Sequence, residues 1–205
     1  MKTKCLLTAV LAAVLLAGCV SSVFPLLTED DLVFDPALIG IWGDSDPKNE
    51  DPEKETWMFN KRDGDAASKV YTLIIQANGR PAKFDARLGR IGGKLFLELE
   101  LADLGEAEDK LNGWAKAALG RNHIIMRVQE LGPNLKLCLP DLDRFLQENP
   151  KALAHREQAK DPLILTAPTA ELQAFFIQHA DNPKIFSCKD SSGLKRVAIP
   201  LAAKK

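Results

Sequence analysis

Four cysteines, three histidines and a few close-set carboxylates are the residues of this chain whose types could do chemistry. A thiol can form a disulfide, accept a covalent group or, beside a base, attack as a thiolate. Cys5 and Cys19 fall inside and at the end of an apolar run, whereas Cys138 and Cys188 lie far downstream. None of the four has the surroundings of a catalytic nucleophile. His123, His155 and His179 are far apart in sequence, and none has a partner at a metal-ligand spacing. His123 reads as a residue capping a strand, and His179 as a buried or boundary member of a helix face. Asp44, Asp46 and Glu50 bring three oxygens together, but no glycine stands at the sixth position and Pro47 interrupts, so an EF-hand calcium loop does not fit. Asp141 and Asp143 precede a helix, where carboxylates favour the N-terminus anyway. Ser191-Ser192-Gly193 is a turn signal without a nucleophile elbow around it. With no phosphate-cradling glycine loop either, the chain reads as a binding or interaction protein, not an enzyme, and implies no cofactor and no metal.

The setting of Cys19 is more specific. Lys2 and Lys4 form a short positive opening, and Leu6 to Leu16 follows as an uncharged apolar stretch. That stretch has the length of a signal-peptide core and falls well short of the roughly 20 residues needed to span a bilayer. Ala17 and Gly18 are small, as a peptidase pocket requires. Leu16-Ala17-Gly18-Cys19 resembles the lipobox of bacterial lipoproteins. The resemblance implies diacylglycerol on the Cys19 thiol, removal of residues 1–18, and acylation of the new amine. Two or more acyl chains hold a protein firmly on its membrane, each buried methylene contributing about 0.8 kcal/mol. Val20 follows, not the aspartate that often marks inner-membrane retention, so the expected address is the outer membrane, facing the periplasm, with surface exposure the other possibility. An ordinary secretory signal or an uncleaved anchor is the alternative.

Removing Lys2 and Lys4 takes the formal charge of the 205-residue chain from −1 to −3, too mild to suggest nucleic acid as a partner. The expected partners are the membrane, through Cys19, and an apolar ligand or an envelope protein. Cys138 and Cys188 would remain in an oxidising compartment, where they can pair if the fold brings their Cα atoms within about 7 Å. Two separate buried thiols are the other possibility. In Leu135-Lys136-Leu137-Cys138-Leu139, alternation puts Cys138 opposite three leucines, an odd position for a simple core thiol.

The elements that must position these residues are mostly strands. Residues 19–37 read as the lipidated N-terminus and in part a spacer, and 38–205 as one strand-rich domain. Leu38 to Trp42 begins the ordered part, and Asp44 to Glu55 reads as a charged loop. Thr56 to Phe59 and Val70 to Ile75 flank a turn at Asp63-Gly64-Asp65, and Asn78-Gly79 and Gly92-Gly93 mark further hairpins. Lys94 to Leu101 alternates most cleanly, with Leu95, Leu97, Leu99 and Leu101 opposed to Glu98 and Glu100. His123 to Leu131 continues the pattern. Such strands imply an antiparallel sheet with one wet face. Helical spacing appears over 104–119, over Asp141 to Asn149, and over Thr169 to Ala180, where Leu172, Phe175, Phe176 and His179 form a stripe. A last strand pair is expected from Ile185-Phe186 and Arg196 to Ile199.

Gly40-Ile41-Trp42 resembles the Gly-x-Trp motif that opens the first strand of lipocalins, small antiparallel barrels that hold apolar ligands. The resemblance implies that Trp42 plugs the closed end of a barrel and that a basic residue of the last strand, here Arg196, packs over its ring. Gly43 stands where lipocalins usually place a tyrosine, and the segments 104–119 and 141–149 have no counterpart in the standard barrel. The expected class is therefore mainly β, or α+β: an antiparallel sheet curled into a lipocalin-like barrel or half-barrel, with two or three helices. An unrelated antiparallel sheet covered by helices is the alternative.

Overall fold

The computed structural model describes residues 20–43, 55–62, 64, 67–77, 79–103, 122–158, 161–186, 188 and 193–197. The signal segment, Cys19, most of the Asp44 to Glu55 loop, the 104–119 helix, Ser191-Ser192 and the tail of the last strand lie outside the described residues. Within them, eleven strands follow in order: β1 (Ser21–Ser22), β2 (Gly40–Gly43), β3 (Thr56–Lys61), β4 (Val70–Ala77), β5 (Arg80–Ile91), β6 (Lys94–Asp103), β7 (His123–Leu131), β8 (Asn134–Cys138), β9 (His155–Gln158), β10 (Asp161–Leu165) and β11 (Leu194–Arg196). Two α-helices accompany them, α1 (Asp143–Glu148) and α2 (Thr169–His179).

Strands β2 to β8 each pair antiparallel with the next, and β11 fits between β8 and β2. The ring closes as an eight-stranded antiparallel barrel, which leaves these strands no free edge. Two-residue periodicity explains its interior. Phe59, Tyr71, Leu73, Ala86, Leu88, Leu97, Leu99 and Met126 all point inward and are buried. A small leaf, β1-β10-β9, is added at the upper half of β7, where β1 pairs antiparallel with β7 and parallel with β10.

The expectation of one wet face fails over part of the barrel. The outer wall at β6 and β7 carries Phe96 and Ile125, and a second core covers them with Phe176, Phe186, Leu146, Leu165 and Leu172. Glu98, read from alternation as a solvent residue, is consequently fully buried. A strand buried on both faces still alternates, but between two cores.

Residues 20–37 do not stand off as a spacer. Val20, Leu26, Leu27 and Leu32 are buried in the second core, and Leu32 bridges to Gly89. The apolar outer wall needs cover, and this segment supplies it. Gly89 permits the approach, because a Cβ there would lie 2.5 Å from Leu27 Cδ2. Nor is Ile185-Phe186 a strand. It lies in a turn, with the Ile185 amide donating to the Asn182 carbonyl at 3.0 Å and both side chains buried in the second core.

Tyr71, the one tyrosine of the sequence, pins the lead-in to the barrel. Its hydroxyl accepts from the Asp35 amide at 2.6 Å and donates to the Asp35 carbonyl at 3.1 Å. Burial pushes its pKa from 10.0 up to about 12. The neutral hydroxyl therefore stabilises the fold below pH 10, and that contribution is lost as pH rises from 10 through about 12. An ultraviolet absorbance titration should show tyrosinate forming near the upper value; ionisation near 10 in the folded protein would contradict this environment.

Candidate functional site: a barrel plugged at one end

The barrel is sealed at one end by the residues of the Gly-x-Trp segment. Trp42 is fully buried in β2, and its indole Nε1 donates to the Leu38 carbonyl at 2.9 Å. Register places Trp42 directly opposite Arg196 of β11. The Arg196 Cζ lies 4.5 Å from the Trp42 ring centroid, a cation–π stack. Its Nη1 donates to the Ile39 carbonyl at 2.8 Å and its Nη2 to the Ala37 carbonyl. Gly40 is needed because its φ is +137° and because a Cβ there would meet Arg196 Nη1 at 2.7 Å. Arg196→Met keeps the aliphatic stem and removes the stack and both hydrogen bonds. It is expected to cost about 2 kcal/mol, read from the urea midpoint, and to shift tryptophan emission. A variant as stable as the parent would show that the stack and its hydrogen bonds do not hold the plug in place.

Burial falls away towards the other end. Trp57, Ile75, Phe84, Ile124 and Leu137 each lie two residues from a fully buried inward neighbour (Phe59, Leu73, Ala86, Met126 and Leu135), and Trp57 stands beside Trp42 on the neighbouring strand. All five are half-buried and apolar, and they come from five different strands. They form a ring that strand alternation alone places on one wall. Only closure turns them towards a common centre.

Cys138 and Cys188 are joined as a disulfide, with Cα atoms 5.2 Å apart. Cys138 points away from Leu135 and into the outer core, which accounts for its place opposite the leucines. Cys188 lies on the wall of an open cleft of about 290 Å³, between the outer faces of β7 and β8 and the turn after α2. Arg127, Lys136 and Asp181 line this cleft, but Asp181 already bridges Arg127 at 2.9 Å and Lys94 at 2.6 Å. The Lys94 hydrogen bond, ahead of the neighbouring charges, holds the Asp181 carboxyl below its ordinary range. The cleft's charges thus largely satisfy one another, which makes it a weaker candidate than the barrel mouth.

Sequence reading missed Glu98 as a key residue. Its Oε2 accepts from the Leu26 amide and, at 3.1 Å, from the Leu27 amide. Its Oε1 lies 3.5 Å from Arg87 Nη1 and 3.2 Å from His123 Nδ1, the latter without hydrogen-bonding alignment. Phe96, two residues earlier on the same face, was the available signal that this face is covered. His123 is accordingly a buried neighbour of that carboxylate, beyond its place at the start of β7. His179 sits half-buried against Phe145 and Phe175, with ring centroids 5.2 and 4.5 Å away, and burial lowers its pKa.

Comparison with family models, curated proteins and solved structures finds no match to this chain. The class is defined by the fold itself: a mostly antiparallel protein built on a closed eight-stranded, lipocalin-like barrel. Among the described residues, no helix is long and apolar enough to cross a membrane, and no group of three or more His, Cys, Asp and Glu is placed to hold a metal ion.

Proposed function

We propose that this chain is a lipoprotein, anchored at Cys19 in the outer membrane and facing the periplasm, whose barrel binds an apolar small molecule or lipid at its mouth. The anchor rests on Leu16-Ala17-Gly18-Cys19. The binding role rests on the gradient of burial, with Trp42 under Arg196 at one end, Trp57 beside Trp42 on the neighbouring strand, and half-buried Ile75, Phe84, Ile124 and Leu137 beyond it. On this reading the ligand rests on that half-buried ring, because the half of the barrel beside Trp42 is filled by side chains. Native mass spectrometry and lipid extraction of the purified protein test the reading directly. Ile75→Glu would place a charge in the ring, and it is expected to weaken binding of an added fatty acid by at least about tenfold while the barrel remains folded. Protein that carries no apolar molecule and shows no tryptophan response to saturating fatty acid would refute it.

The second reading is an envelope interaction or assembly lipoprotein with a packed core and a protein partner. It is favoured by the same solid packing beside Trp42, where Phe59, Leu73, Leu97 and Leu135 have no exposed surface. Crosslinking in whole cells would then capture one specific partner from both the parent and the Ile75→Glu variant.

A further inference from the structure

The residue after the proposed anchor already belongs to the folded wall. Val20 is buried, Ser21 and Ser22 pair with β7 and β10, and the Val23 amide donates to the Leu165 carbonyl at 2.9 Å. Successive Cα atoms are about 3.8 Å apart, so acyl chains on Cys19 would begin within one residue of the folded wall. Register shows which part of the wall. β8 leaves β7 at Arg127, and β1 takes up the same edge at Ile124 and His123. That is the half of β7 from which Ile124 joins the mouth ring, away from the plug. Exposed apolar side chains lie beside it. Val23 and Phe24 follow β1 directly and are 46% and 44% exposed, and Leu139, just past β8, is 42% exposed.

On the reading of Cys19 as a lipid anchor, we infer that the domain stands directly on the bilayer, with its β1 edge and barrel mouth at the headgroups and Val23 and Phe24 among the lipids. The occupant of this patch is the lipid surface because the chain ahead of it, once processed, is one lipid-bearing residue long. A tether of that length cannot let the domain tumble free of the membrane. An apolar ligand then passes between bilayer and barrel mouth without crossing bulk water.

The test uses the full lipidated protein in vesicles of phosphatidylethanolamine and phosphatidylglycerol. Nitroxide labels are placed at Val23→Cys and, on β3 towards the plugged end, at Asn60→Cys, both exposed positions. The label at 23 should report the headgroup–acyl boundary by its oxygen accessibility, and the label at 60 should report water. A flexible Gly-Ser insertion between Cys19 and Val20 should keep the protein on the membrane but move the label at 23 into water. An aqueous label at 23 in the parent, with diacylglycerol confirmed on Cys19 by mass spectrometry, overturns the inference and leaves the anchor standing. The same label aqueous on vesicles yet protected in whole envelopes also overturns it, and assigns the patch to a protein partner. A mature protein without diacylglycerol that is absent from the membrane fraction overturns the anchor itself.

Discussion

Glu98→Ala is expected to cost about 3–5 kcal/mol, the range for removing one partner of a buried charge cluster. The carboxylate holds the Leu26 and Leu27 amides on one oxygen and faces Arg87 and His123 with the other. Its removal leaves two buried amides without their acceptor and a guanidinium without one of its counter-charges. Each deficit costs a desolvation penalty that water cannot refund in a covered site. Glu100→Ala is the control. Glu100 pairs with the same Arg87 at 2.9 Å from the same face, but its side chain remains 17% exposed. Its loss should cost about 1 kcal/mol or less, as for pairs that solvent reaches. Urea unfolding of both variants, together with hydrogen exchange at Leu26 and Leu27, separates the two cases. Equal losses from the two variants would show that burial of Glu98 carries no special weight.

Removing the Cys138–Cys188 bridge is expected to destabilise the protein by about 4 kcal/mol, the chain-entropy figure for a closed loop of about 50 residues. For a chain of this size, that corresponds to a fall in Tm of roughly 8–16 °C. The loop it closes contains α1, β9, β10 and α2, the elements that cover the outer wall. The bridge also holds the chain just before β11, the strand that closes the barrel and carries Arg196 over Trp42. A paired Cys138→Ala and Cys188→Ala variant, measured by calorimetry against the parent under oxidising conditions, gives the difference. A loss of stability confined to the outer core, with the Trp42 environment unchanged, would show that the barrel closes without the staple. A variant indistinguishable from the parent would show that packing alone supplies the constraint.

Local chemistry was legible in the chain wherever its cause was local. Alternation in Lys94 to Leu101 marks β6 because side chains on an extended backbone must point to opposite faces. Gly92-Gly93 marks the turn into that strand, and the Leu172, Phe175 and Phe176 stripe marks α2. Gly40-x-Trp42 and Arg196 could be singled out only through the resemblance to the lipocalin motif; the structure adds the reason, a glycine that leaves space, a tryptophan that fills it and a guanidinium that stacks on the ring. Glu98 was misread because alternation states only that two faces differ. It does not say what covers either one.

The sequence by itself determined the strand periodicity, the turns, the small-residue setting of Cys19 and the residues able to form a plug. Tertiary structure alone decided that eight strands close into a ring, that residues 20–37 become wall in place of tether, and that Cys138 finds Cys188. The reason is physical. Periodicity and turn preference act within a few residues, whereas closure, burial and disulfide reach depend on partners 50 to 160 positions away. The Arg196 hydrogen bond to Ile39, 157 residues apart in sequence, exists only once the barrel has closed.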